Sequence, residues 1–236
     1  MKITLLTGKT YNLENVFDFP LEVHQSPRAA RLSLKIDSKR RIPVLTMPIF
    51  CSEKQAISFV KKNMVWLQNA LSSIPEIKHF ENGEKISLFG ENVTIRHMPN
   101  LSGGTRVENG ELLVGGGIEF LHSRVKTYIK KEAKKRFLQI SREMADKLGV
   151  SIKNITIKDT KSRWGSCSSL HNINYNWRIA LAPDFVINYL MAHEVSHLVH
   201  PNHSVDFWRC VESLCPNMKH GNGWLKKFGK NLNIYE

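Results

Sequence analysis

Cysteine is scarce in this chain. Cys51, Cys167, Cys210 and Cys215 are the whole complement, and no two of them have CxxC spacing. No apolar run approaches the length needed to cross a membrane, so a spanning helix is not expected. Met1 to Thr10 holds only a short apolar patch and no small-residue cleavage site, so it does not read as a secretory signal. Together these absences predict a cytoplasmic protein whose cysteines are free thiols. There is no internal repeat and no low-complexity tract. Acidic residues are also in short supply, 21 Asp and Glu against 34 Lys and Arg, for a net charge of +13.

What is present is ordinary for a globular chain: 236 residues, 42% hydrophobic and 23% charged, enough for one large domain or two small ones. "GGG" at 115–117 is the best candidate linker. It divides the chain into a β-rich region with one helix, 1–117, and a second domain, 118–236. The first part carries 15 basic against 11 acidic residues, the second 19 against 10. The basic excess therefore sits mainly in the second part, where it favours anionic partners such as nucleic acid or phosphorylated substrates.

"RLSLKI", "DSKRR" and "IPVLTMP" predict a hairpin within residues 21–49. Ser52 and Gln55 form a capping box for a helix whose apolar positions run from Phe59 through Leu67 and Leu71 to Ile74, with Pro75 as its stop. "KISLF", "NVTIRHM", "TRV" and "ELLV" read as short strands. A long helix is expected over about 118–148, capped by Gly149. Its outer face carries Lys130, Lys131, Lys134, Lys135 and Arg136, either a solvated face or a nucleic-acid footprint. "ITIK" and "INYNWRIAL" read as strands flanking "DTKSRWGSCSSLHN". A helix follows from Pro183 and Asp184. Two more close the chain, the first capped by Ser204.

That helix after Pro183 carries "HEVSHLVHPNH", four histidines and a glutamate within residues 193–203. Residues i and i+4 share a helix face, so His193 and His197 project side by side, at a separation suited to two imidazoles on one zinc. Glu194 points beside such a metal, placed to accept a proton rather than to ligate. A catalytic site needs a third protein ligand. His200 lies seven residues after His193, a rise of roughly 10 Å along a continuous helix. Pro201 disfavours helical geometry at His200, and Asn202 tolerates a left-handed turn. The chain can then fold back, which favours His203 over His200 as the third ligand.

"HEVSHLVHPNHSVDFW", preceded by "SRWGSCSS" and "INYNWRIAL", resembles the YgjP-like metal-dependent hydrolases, relatives of the SprT-like and gluzincin-type zinc peptidases. The resemblance implies an α+β fold with a zincin-like minimal metallopeptidase core: a small sheet on an HExxH active-site helix, with a β-rich N-terminal part. It implies one Zn2+ per chain on His193, His197 and His203, with Glu194 as general base. The ligand spacing equals that of the metzincins, but His200 stands where their turn glycine belongs and no Met-turn follows, so the chain is not assigned to them.

The expected activity is zinc-dependent hydrolysis, first of all of a peptide bond, with water activated by the metal and Glu194 as base. Arg163 and Arg178 are candidates for substrate contact or oxyanion stabilisation, with hairpin-shaping and structural pairing as the competing readings. "INYNWRIAL" is expected to offer the strand edge on which an extended peptide pairs. Trp177 and Tyr175 are assigned to packing, and Cys167 to a small buried position. Two alternatives stand beside the peptidase: a hydrolase of an anionic small molecule such as a nucleotide phosphoanhydride, and a DNA-associated protein-processing protease of SprT-like type. A purely structural zinc module is disfavoured, because it has no need for Glu194 and would close with a fourth ligand.

Overall fold

The computed structural model describes residues 3–4, 10–11, 17, 19–37, 40–72, 77–160 and 162–235. It divides into two units, Met1–Pro75 and Glu76–Glu236. The boundary thus falls at Pro75 and not at Gly117, and the reason lies in the "GGG" segment. Gly115 ends a strand, Gly116 takes φ +80°, and Gly117 precedes a 3-10 turn over Ile118–Phe120. The three glycines make a tight corner inside one core rather than a linker.

In the first unit, β1 (Ile3–Thr4) pairs with β2 (Thr10–Tyr11). β3 (Glu22–Ser26), β4 (Ser33–Asp37) and β5 (Ile42–Pro48) form a sheet with β5 in the centre. β4 and β5 are the expected hairpin, antiparallel, and β3 joins in parallel. Alternation along β5 buries Leu45 and Met47 with Val23, Ala56 and Val60. α1 (Glu53–Lys62) starts with the expected capping box: Ser52 Oγ accepts from Gln55 N, and Gln55 Oε1 accepts from Ser52 N at 2.9 Å. The single helix expected here is broken. α1 ends at Asn63, whose side chain donates to Phe59 O at 2.8 Å, and α2 (Met64–Ser72) follows. Ile74 and Pro75 lie outside the described residues.

Among the described residues, the second unit holds two sheets and four α-helices. β6 (Lys85–Leu88), β7 (Glu91–Met98), β8 (Arg106–Glu108) and β9 (Glu111–Gly115) form a sheet of order β6-β7-β9-β8. α3 (Leu121–Lys147) buries Leu121, Val125, Ile129, Ala133 and Phe137 in one stripe, in the same core as Ile95, Leu112 and Val114 of that sheet. Gly149 ends it at φ +67°, and Val150 N donates back to Ala145 O. Of its basic residues, Lys131, Lys134 and Lys135 are exposed, Lys130 is half-buried, and Arg136 is tied to Asp184 at 3.1 Å.

β10 (Asn154–Lys158), β11 (Gly165–Cys167) and β12 (Asn172–Asn176) form the second sheet, with β12 in the centre, parallel to β10 and antiparallel to β11. The strand expected over "INYNWRIAL" stops at Asn176. There the Asn176 side chain accepts from Arg178 N at 3.0 Å, and residues 177–181 turn into a buried 3-10 segment. α4 (Asp184–Ser196) contacts α3, β11, α5 (Val205–Leu214) and α6 (Met218–Phe228). Enclosed on so many sides, it is apolar around much of its circumference rather than along one stripe. Ser141 Oγ lies 2.9 Å from Tyr175 OH and 3.5 Å from Met191 Sδ, tying α3, β12 and α4 together. Tyr175 and Trp177 are fully buried, as their packing assignment requires. No helix among the described residues is long and apolar enough to cross a membrane.

Candidate metal centre and active site

α4 delivers His193 and Glu194 from its last turn, and His197 is its C-cap residue. The chain then leaves the helix. His200 N still reaches Ser196 O at 2.9 Å, but Pro201 and Asn202 form a bend, and Ser204 starts α5 by accepting from Phe207 N. This turn carries His203 back over the helix end. One ring nitrogen from each of His193, His197 and His203 falls within 4.8 Å of the other two. His200 is not in this group. Its backbone carbonyl instead lies 3.0 Å from His197 Nδ1. A carbonyl only accepts, so Nδ1 of His197 carries the proton and Nε2 keeps its lone pair for the site.

His193 Nε2 and His203 Nε2 lie 3.2 Å apart. Two imidazole lone pairs at that distance repel unless a proton or cation lies between them. Ligands on a tetrahedral ion with bonds of about 2.0–2.1 Å stand roughly 3.3 Å apart, so the spacing fits a shared metal. His193 Nδ1 is buried without a hydrogen-bond partner among the described residues, so none of them dictates which ring nitrogen holds the proton. Burial, reinforced by His197 and His203, pushes the His193 pKa down to about 4, and burial also lowers that of His197. Neutral imidazole, the ligating form, is therefore the resting state near pH 7. Phe207 backs all three rings, at centroid distances of 5.0, 4.5 and 4.7 Å from His193, His197 and His203. Trp208 adds a second aromatic wall, 5.8 Å from His193 and 5.7 Å from His203. Sequence reasoning gave these two residues no role, although the Ser204 cap fixes the register that turns Phe207 inward.

Glu194 is 4% exposed. Burial pushes its pKa up to about 8, against a smaller opposing pull from Arg163. Its carboxylate lies on Gly165 of β11, where a Cβ would stand 2.6 Å from Cδ and 2.7 Å from Cγ of Glu194. Only glycine leaves the carboxylate that space. Gly165 was not singled out from the sequence; its place between "SRW" and "SC" gives no local reason for glycine.

β11 is the strand beside the site, and this corrects the expectation placed on "INYNWRIAL". β12 is flanked on both sides, whereas β11 ends the sheet. Asn176 N donates to Trp164 O, and Ser168 N donates to Asn172 O. By the antiparallel alternation, Gly165 and Cys167 turn their N–H and C=O groups to the outer edge, where no strand among the described residues pairs with them. A cleft of about 650 Å³ runs there, lined by Gly165, Cys167, His193, Glu194, His197 and His203. Cys167 is therefore half-buried in the cleft wall rather than a core residue, its thiol pushed up to about 11 by burial and the nearby Glu194.

The two arginines part company. Arg163 is exposed beside Glu194, its loop held by a bond from Thr160 Oγ1 to Arg163 O at 2.7 Å. Arg178 is 6% exposed and fully engaged. It donates to Asp159 Oδ1 at 2.5 Å and to Tyr235 O at 2.7 Å, and stacks over Trp177. It lines neither the 650 Å³ cleft nor the histidine cluster. The structural pairing weighed for Arg178 is what the structure contains.

A compact α+β domain with a histidine triad and a buried glutamate at the end of one helix has the architecture of a zincin-like metallopeptidase core. The YgjP-like family, metallopeptidase domain, matches residues 30–228, and the chain belongs to it. That match spans both units of the structure. Among solved structures, the metallopeptidase zymogen of Pyrococcus abyssi abylysin is similar at 22% identity and a TM-score of 0.36, over 39% of this chain and 95% of that one. No curated protein matches the chain.

Proposed function

We propose that this protein is a zinc-dependent endopeptidase for extended polypeptide, with His193, His197 and His203 as metal ligands and Glu194 as general base. The observation that carries this reading is the convergence of three imidazole nitrogens beside a buried carboxylate, along a strand edge that no strand among the described residues pairs with. When bound, the divalent cation supplies Lewis acidity, acidifies a water and favours the ionised form of Glu194. The outer edge of β11 binds substrate backbone by adding it as a strand, and this sets the scissile carbonyl over the histidines. Glu194, held by Gly165 and shielded from bulk water, takes the proton of the attacking water on its carboxylate and passes it to the leaving amine. His200 positions His197 through its carbonyl, and Phe207 fixes the three ring planes. An open edge suits an extended peptide better than a compact phosphoanhydride.

The test is metal analysis together with cleavage of an unfolded protein substrate, read as new N-termini by mass spectrometry. Wild type should hold about one zinc per chain and cleave. Glu194→Gln should keep the metal and lose at least about a hundred-fold in turnover. His203→Ala should lose the metal, and His200→Ala should keep it. Stoichiometric zinc without any cleavage would sink the peptidase reading.

A further inference from the structure

The 650 Å³ cleft meets a second hollow of about 390 Å³ at Gly165, His193 and Glu194. Trp164, Tyr189 and Leu225 give that hollow apolar walls, and Lys226 stands in it. A third hollow of about 250 Å³ shares Trp164, Leu225 and Lys226 with the second and adds Arg163 and Lys230. The second and third hollows thus adjoin across Trp164, Leu225 and Lys226, and the third is rimmed by three exposed cations. Among the described residues, Glu194 is the sole carboxylate lining either of the two smaller hollows.

We propose that Arg163, Lys226 and Lys230 form an anion subsite next to the catalytic centre, one that takes a carboxylate of the bound peptide. The inference rests on the peptidase reading above and gives that reading its substrate preference. Three features set the chamber apart from a merely solvated basic face. None of the three cations has an ion-pair partner among the described residues, whereas Arg136, Lys126 and Arg178 nearby all do. The frame is fixed: Asn176, 1% exposed, donates to Thr160 O at 2.6 Å, Thr160 Oγ1 donates to Arg163 O, and the Gly229 backbone is flush with the Trp164 indole. Placement is also selective. Lys227, next to Lys226 in sequence, lies over the Phe228 ring at 5.0 Å and lines neither hollow.

Size decides the ligand. A hollow of about 250 Å³ has room for one carboxylate-bearing side chain or chain end. Apolar walls on the approach accommodate the methylenes of a glutamate, and the cations at the end provide charge-assisted hydrogen bonds. Two sources supply the same chemistry, an acidic side chain near the scissile bond or the C-terminal carboxylate of the substrate.

The experiment measures binding and cleavage separately, on zinc-loaded full-length protein. Binding is read by calorimetry on Glu194→Gln protein, with matched peptides bearing Glu or Gln at each position around one cleavage site, C-terminally free or amidated. One acidic position, or the free terminus, should bind about ten-fold tighter than its neutral counterpart. The preference should shrink with added salt, and it should invert toward lysine-bearing peptides in the Lys226→Glu, Lys230→Glu double variant. Loss on Glu-to-Gln exchange identifies the side chain as the source; loss on amidation identifies the terminus. Cleavage of neutral and acidic peptides at equal kcat/KM, with equal affinities, overturns the subsite and leaves the peptidase standing. Carboxylate-dependent binding without cleavage of any peptide by wild type leaves the subsite standing and overturns the peptidase.

Discussion

Gly165 and Glu194 pack so closely that the strand carrying one has no room for a methyl group beside the other. Gly165→Ala should therefore displace the base while the three histidines stay in place. A shift of about 1 Å in a catalytic group can cost roughly a hundred-fold in rate. We expect kcat to fall by about that much, with metal stoichiometry unchanged, as read by parallel kinetics and metal analysis. A variant that keeps full turnover would show that Glu194 does not depend on this contact.

The elevated pKa of Glu194 has a thermodynamic signature in chelated protein. A carboxyl that titrates near 4.5 when unfolded and near 8 when folded holds its proton longer in the folded state. Across that window the folded chain binds more protons, so this group makes stability fall as pH rises. His193, depressed to about 4 in the folded state, acts in the opposite direction below pH 6.5. The clean comparison is the difference between wild type and Glu194→Gln. Denaturant midpoints for the two should diverge steadily in favour of the variant from about pH 4.5 to pH 8, then run parallel. Parallel curves throughout would mean that the carboxyl titrates as an exposed glutamate does.

Arg178 should matter to folding rather than to chemistry. Replacing it with Met strands Asp159 and the carbonyl of Tyr235. Asp159 is 39% exposed and keeps Lys126 at 3.4 Å, so the loss should be moderate, about 2 kcal/mol. Thermal melts should report it, while zinc content stays at the wild-type level. A large fall in kcat at full stability would return Arg178 to the reaction.

The convergence of the three histidines is legible in the sequence because they are local. The i, i+4 pair, the glutamate between them and the breaker before His203 all act within one stretch of chain, where helix geometry alone predicts who meets whom. Gly165 and Phe207 were not legible, because their partners come from other elements. The same limit explains the errors in the fold. "WRIAL" is apolar and reads as strand, yet a tertiary core buries it from every side and Asn176 turns it into a 3-10 segment. The helical stripe from Phe59 to Leu71 runs through Asn63 without interruption, but the Asn63 side chain competes for the Phe59 carbonyl and divides the helix. The basic stripe of α3 mixed free lysines with Arg136, whose partner Asp184 lies 48 residues away.

The three histidines that would hold the ion all lie between residues 193 and 203, so the loop that closes around it is very short and its entropic cost small. The other walls around Glu194, Gly165 and Trp164 on one flank and Leu225 and Lys226 of α6 on the other, must be recruited across longer stretches of sequence. On the proposed reading, gathering the three imidazoles and placing Gly165 beside Glu194 are therefore steps of very different loop length. For the peptidase proposed above, a partly unfolded chain would bind its ion through the short segment before β11 sets Gly165 against Glu194.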